Sequence, residues 1–249
     1  MRESRDYSRY SVSKKEIFML VALYAAAAAI LSLLFYNSIY PGILLMPGIL
    51  VAFRKYSSLR CRQIQRKLNR EFKEMLLSLS ANMAAGYSIE SAFVPVYQEL
   101  SGMYQGSSYI EKELMIVLKG LEINSDVDVL LGDLAKRSQV KDIEEFANIV
   151  VVAKRSGGNL IRMMKKMVQN MEERIEVEDE IDTMLTAKRL EQNIMSAMPF
   201  VIILYLRVCN PGYMDVLYGN IPGAALMTVC LGLIVVTILW GWKIININV

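Results

Sequence analysis

From Ile17 to Phe53 the chain carries no charged residue, a run of 37 positions that approaches two membrane crossings at about 20 residues each. Asn37-Ser38-Ile39-Tyr40-Pro41-Gly42 interrupts it with turn chemistry, so the run predicts a helical hairpin, Ile17 to Tyr36 and then Ile39 to Phe53. The second arm is short and holds Pro47-Gly48, which predicts a tilted or shallow crossing, or one that borrows length beyond Phe53. A second apolar region closes the chain. Gln192 to Leu206 is uncharged, Arg207 and Asp215 flank Asn210-Pro211-Gly212-Tyr213, and Val216 to Trp242 is uncharged for 27 positions. This too predicts a hairpin with a polar turn. The first apolar run is longer than the core of a signal peptide, so it is expected to be retained.

Between the hairpins the apolar residues fall at helical spacing. Phe72, Met75, Leu76, Leu79 and Met83 make one stripe, with Lys73, Glu74 and Ser78 off it. Gly86 is the expected stop and Ser88 the N-cap of a helix reaching about Leu100, with Pro95 an irregularity. Ser101 to Ser108 reads as a Gly/Ser loop. Three further helices are predicted over Ser107 to Lys119, Ser125 to Arg137 and Val140 to Arg155, the last with Ile143, Phe146, Ile149, Val150 and Ala153 on one face. After Ser156-Gly157-Gly158, with Asn159 as N-cap, one stripe continues through Leu160, Met163, Met164, Met167, Met171 and Ile175, and no breaker occurs before Pro199. That predicts about 60 Å of helix leading directly into the third crossing, joining the central segment rigidly to the membrane. No strand is predicted. The methionines read as core packing, with a Met-rich partner groove as the alternative.

Charge sets the orientation. Arg54, Lys55, Arg60, Arg62, Arg66, Lys67, Arg70 and Lys73 follow the first hairpin with one acid among them, Glu71, which places that side in the cytoplasm. The basic tail with Arg2, Arg5, Arg9, Lys14 and Lys15 and the tail at Lys243 fall on the same side. The expected organisation is all-α: a cytoplasmic tail over 1–16, a transmembrane hairpin over 17–53, a cytoplasmic helical bundle over 54–193, a second hairpin over 194–242, and a cytoplasmic tail over 243–249.

Composition narrows the function. Of 249 residues 54% are hydrophobic and 21% charged, too apolar for an ordinary soluble domain, and the net charge of +3 does not suit a nucleic-acid binder. There is no histidine, which removes the commonest general base and most zinc sites. Cys61, Cys209 and Cys230 are widely spaced and read as packing residues, Cys209 alone falling on the outer side. No G-x-x-x-x-G-K-[ST] occurs, so no usual phosphate loop is present, and a G-x-S-x-G elbow is also missing. Neither crossing pair holds the paired acids of a membrane aspartyl peptidase or the buried ionisable groups of a transporter. Neither an enzyme, a cofactor nor a metal is expected. Gly157-Gly158 could cradle an anion at a helix start, but a helix stop followed by a cap explains it as well.

One charge pattern stands out. Glu172, Glu173, Glu176, Glu178, Asp179, Glu180 and Asp182 surround a single Arg174, a net of −6 in eleven residues. If both helices run on from their crossings, these acids and the basic stretch Arg60 to Lys73, which holds Arg60, Arg62, Arg66 and Arg70, lie at overlapping depths, ~18 to 33 Å and ~9 to 29 Å below the apolar segments. Glu172, Glu176, Asp179 and Glu180 are therefore expected to face those arginines, within or between subunits, as a charged stalk under the bilayer. The alternative is two solvated faces, the basic one drawn to anionic lipid.

Ala84-Ala85-Gly86-Tyr87-Ser88-Ile89-Glu90-Ser91-Ala92 resembles the turn that opens the type II secretion system F domain, and Lys154-Arg155-Ser156-Gly157-Gly158-Asn159-Leu160 resembles its second glycine turn. Leu185-Thr186-Ala187, Pro199 and Asn210-Pro211-Gly212-Tyr213 are most similar to the TadB branch, the inner-membrane platform of Tad (Flp) pilus assembly. The resemblance runs from about Arg54 to the C-terminus and covers one F domain. It implies a non-enzymatic multi-pass protein of the plasma (inner) membrane that connects a hexameric secretion ATPase to pilin subunits drawn from the lipid bilayer, paired with itself or with a second F-domain subunit. A membrane-tethered scaffold or signalling relay fits the composition equally well, and the order of the motifs disfavours it.

Overall fold

A computed structural model describes residue 7 and residues 14–36, 48–156, 159–209, 212 and 220–245. The expected turns at 37–42, Pro47, the Gly157-Gly158 pair, Asn210, Pro211, Tyr213, Asp215 and most of both tails lie outside them. Among the described residues the chain is all-helical, as its periodicity predicts. The helices are α1 (Lys14–Tyr36), α2 (Gly48–Ala84), α3 (Ile89–Tyr104), α4 (Tyr109–Glu122), α5 (Val127–Ser138), α6 (Lys141–Ser156), α7 (Leu160–Cys209) and α8 (Ile221–Ile245). Apolar helices near both ends, α1 and α8 with the last part of α7, flank the central helical region and are long and apolar enough to cross a membrane.

Two units are formed, Met1–Ser11 with Tyr56–Glu176, and Val12–Lys55 with Val177–Val249. The first is a helical bundle with one continuous core. Leu68, Phe72, Met75, Leu76 and Leu79 of α2 meet Phe93 and Val96 of α3, Ile110 and Leu114 of α4, Leu131 and Leu134 of α5, and Ile143, Phe146 and Val150 of α6. Phe72 and Phe146 cross edge to face with centroids 5.7 Å apart. The expected stripe on α7 shifts: Met164, Met167, Val168 and Met171 are buried, at i, i+3, i+4 and i+7, whereas Met163 is exposed. Ser78, expected off the stripe of α2, is buried as well, and its hydroxyl is satisfied by donating to the Glu99 carboxylate of α3.

Helix ends follow side-chain chemistry. α2 stops before Gly86, which takes the left-handed φ of 103° that a side chain resists. Ser88 Oγ accepts the Ser91 amide at 3.2 Å, Ser108 Oγ that of Glu111 at 3.3 Å, and Asn159 Oδ1 that of Arg162 at 3.0 Å. The segment expected to be a loop from Ser101 is helical as far as Tyr104, because Tyr104 packs against the core and outweighs the local Gly/Ser composition. The turn comes later, at Gln105 and Gly106, both at positive φ.

At Gly120 the side chain of Leu130 from α5 packs directly on the backbone of α4. A Cβ there would run into Cδ2 of Leu130 and lie 2.8 Å from its Cδ1. Gly120→Ala is expected to be nearly neutral, since Leu130 can rotate away and alanine favours helix by up to about 1 kcal/mol. Gly120→Val is expected to cost about 1–3 kcal/mol through overpacking, read as a lower thermal midpoint of the detergent-purified protein.

In the second unit α1 packs on α8. Leu34, Phe35 and Met227 form its buried centre, Phe35 stands edge to face with Phe200 of α7 at 6.2 Å, and Tyr36 Oη and Thr228 Oγ1 lie 2.8 Å apart. Arg207 donates to the Leu33 carbonyl in the last turn of α1, where helix carbonyls lack partners and carry negative partial charge. Pro199 lies inside α7 and does not end it, so the helix runs for 50 residues, ~75 Å. Cys61 is half-buried, while Cys209 and Cys230 are both exposed, so among the described residues Cys230 is not packed inside protein as expected.

Candidate functional site

The i, i+4, i+8 spacing of Arg62, Arg66 and Arg70 puts three guanidinium groups along one ridge of α2, and all are exposed. Arg60 is exposed too, with Nε 3.1 Å from Tyr56 Oη and its charge over that ring at 5.4 Å. On α7 the acids Glu172, Glu176, Asp179 and Glu180 are exposed; the first two belong to the helical bundle and the last two to the other unit.

Inside the bundle the basic and acidic helices meet at Lys73, the last cation of the basic stretch that was expected to face the acids of α7. Its Nζ is 3.3 Å from Glu172 Oε1 and 3.0 Å from Glu74 Oε1. Burial works against the ammonium, but hydrogen bonds with Glu172 and Glu74 outweigh it and raise the pKa above its usual 10.5. A raised amine stabilises the fold below the unfolded value and loses that contribution only as pH passes the folded value, so the contact persists through neutral pH.

Arg174, the lone cation of the acidic stretch, turns back into the bundle. Its Nη2 lies 2.5 Å from Oδ1 of Asp142, a buried carboxylate of α6 whose Oδ2 accepts from Asn69 Nδ2 of α2 at 2.7 Å. Three helices are thereby tied at one carboxylate. A second tie is Glu71. The Leu68-Phe72-Met75 stripe carries this acid into the core, where Oε2 accepts from Ser108 Oγ at 2.9 Å, the Tyr109 amide at 2.7 Å and the Ile110 amide at 3.0 Å. The carboxylate sits on the positive end of α4. The third is Glu113 of α4, which receives Nη1 and Nη2 of Arg137, on α5, at 3.0 and 2.7 Å. These ties hold α2, α4, α5, α6 and α7 of the bundle in place.

Sequence reasoning also missed a groove of about 690 Å³ between α6 and the first turn of α7, lined by Lys141, Glu144, Glu145, Asn148, Ile149, Val152 and Met163. Its signal was Val152, an apolar residue that lies off the expected stripe of α6. Of the residues singled out as turns, Gly86, Ser88 and Asn159 act as stop and caps, Gly212 is exposed, and Gly157, Gly158, Asn210 and Pro211 are outside the described residues.

The family model for type II secretion system (T2SS) protein F matches residues 75–206, more than half of the chain, from the last third of α2 to the apolar end of α7. The chain belongs to this family. No curated protein and no solved structure matches it. Members of the protein F family are membrane platform proteins that work with ATPases and other platform subunits in general, and the apolar helices agree with a membrane location. The family match contains the acids of α7 but not Arg60, Arg62, Arg66 and Arg70, which precede it.

Proposed function

We propose that the chain is the platform subunit of a Tad (Flp)-type pilus machine in the plasma membrane. In this reading the segment 54–193 is cytoplasmic, between hairpins over 17–53 and 194–242, and it transmits the strokes of a hexameric ATPase to pilin subunits as they leave the bilayer. The observation that carries it is the protein F match running along one unbroken helix, α7, from bundle core into an apolar segment. The order of the Gly86-Tyr87-Ser88, Gly157-Gly158-Asn159 and Asn210-Pro211-Gly212 turns supports the Tad branch. A single F domain supports association with itself or with a second such subunit. Copurification in mild detergent tests this: a secretion ATPase and a second F-domain protein are expected, and a sensor kinase in their place would sink the reading.

The charged ridges are assigned to subunit or inter-helix pairing. Exposed pairs are worth about 0.2–1 kcal/mol each, so three lost together correspond to roughly tenfold in association. Glu176→Lys with Asp179→Lys and Glu180→Lys is expected to reduce pilus assembly about that much, and adding Arg62→Glu, Arg66→Glu and Arg70→Glu is expected to restore it. Failure of the second set to rescue the first would mean that the two ridges do not pair.

A further inference from the structure

Tyr7 is far from the bundle in sequence and inside it in space. Its ring is 5% exposed, is part of the core that contains Leu68, and stands edge-on to the ring of Tyr109 with centroids 6.0 Å apart at 86°. Its hydroxyl donates to Glu113 Oε1 at 2.8 Å, across 106 positions of sequence. Its amide donates to the carbonyl of Arg137 at 3.0 Å, and its own carbonyl accepts from Cys61 Sγ at 3.0 Å. One residue thus engages α2, α4 and α5 through its ring, its hydroxyl and both backbone groups.

Each partner has a physical reason to be available. α5 ends at Ser138, so the Arg137 carbonyl is in the last turn, where helix carbonyls have no partner within the helix; the Tyr7 amide takes the place of one. Glu113 is a buried carboxylate whose Oε1 already accepts from Arg137 Nη1 and has a second lone pair to satisfy. A phenol fills the apolar space beside Tyr109 and supplies that donor. Phenylalanine would fill the space and leave the oxygen short of it.

We propose that α2, α4 and α5 form a tyrosine-recognition socket, and that Tyr7 of the chain's own N-terminal tail fills it. Tyr7, Cys61 and Leu68 precede the protein F match, whereas Tyr109, Glu113 and Arg137 lie within it, and the inference stands apart from the pilus reading. A tethered segment acts at an effective concentration of the order of mM, so a socket with an intrinsic dissociation constant of about 100 µM is filled some nine-tenths of the time.

The test uses the full chain carrying Tyr7→Ala, in mild detergent, and labelled synthetic peptides of residues 1–13. The native peptide is expected to bind saturably and the Tyr7→Phe peptide roughly tenfold more weakly, the effect of losing one hydrogen bond to a charged group. A peptide phosphorylated at Tyr7 is expected not to bind, because its dianion would meet the Glu113 carboxylate, and a Tyr10→Phe peptide is expected to match the native one. Equal binding of the native and Tyr7→Phe peptides, or no saturable binding, overturns the proposal. Should the Tyr7→Ala chain not fold, hydrogen exchange in the full Tyr7→Phe chain decides: several-fold faster exchange confined to α4 and the end of α5 supports the socket, and a uniform change or none overturns it.

Discussion

Arg137→Leu is expected to destabilise the helical bundle by about 3–5 kcal/mol, the cost of leaving a buried carboxylate without its cation. The Glu113 side chain is 2% exposed and takes both terminal nitrogens of Arg137, while Arg137 Nε reaches Asp133 Oδ2 at 2.7 Å. Burial alone would favour the neutral guanidine. The hydrogen bonds from Glu113 and Asp133 outweigh it and raise the Arg137 pKa, so the arginine is charged at every pH at which the protein is handled. Removing it strands Glu113. The double change Glu113→Leu with Arg137→Leu is expected to be far milder than Arg137→Leu alone, since it removes the orphaned charge along with its partner. Urea unfolding of the four proteins in detergent measures the coupling, and costs that simply add would show that Glu113 and Arg137 do not depend on each other.

The elements were legible wherever apolar residues recur at 3.6-residue spacing. Phe72, Met75, Leu76 and Leu79 of α2 and Ile143, Phe146 and Val150 of α6 are buried as their stripes predict, and Ser88 and Asn159 cap the helices they precede. The failures are tertiary. Nothing local distinguishes Ser101-Gly102-Met103-Tyr104 from a loop, because what keeps it helical is Tyr104 against a core assembled from distant segments. Met163 and Val168 exchange places for a similar reason: which side of an amphipathic helix is covered depends on where its neighbours end, and Met163 looks into the groove beside α6 instead of the core.

The ionic ties were harder to read than the exposed ridges. A cluster of like charge is visible in composition, so Arg60 to Arg70 and Glu172 to Glu180 were conspicuous. Asp142, Glu113 and Arg137 are single charges in segments of mixed composition, and their partners are 32 and 24 positions away. Glu71 did leave a trace. It is an acid three residues after Leu68 and four before Met75, on the apolar stripe itself, where an uncompensated carboxylate would be costly and a partner was therefore required. Tyr7 left none, because its recognition depends on a carbonyl and a carboxylate from helices more than a hundred residues away.

Glu71→Ala is expected to cost about 2–4 kcal/mol, because it removes one acceptor from three donors at once at roughly 1 kcal/mol or more each. Two of those donors are the backbone amides of Tyr109 and Ile110 in the first turn of α4, and backbone donors cannot be mutated away, so no second substitution offers the relief available at Glu113. Glu71→Gln keeps an acceptor oxygen and lets its amide nitrogen occupy the Oε1 position, which has no hydrogen-bond partner and lies 3.8 Å from Lys67 Nζ. Its expected cost is smaller, about 1 kcal/mol, chiefly the lost charge on the positive end of α4. The order Ala, then Gln, then wild type is read from thermal midpoints, and the site of the damage from faster hydrogen exchange at Tyr109 and Ile110. Equal midpoints for Ala and Gln would mean that the charge of Glu71 alone, and not its three-donor grip on α4, stabilises this junction.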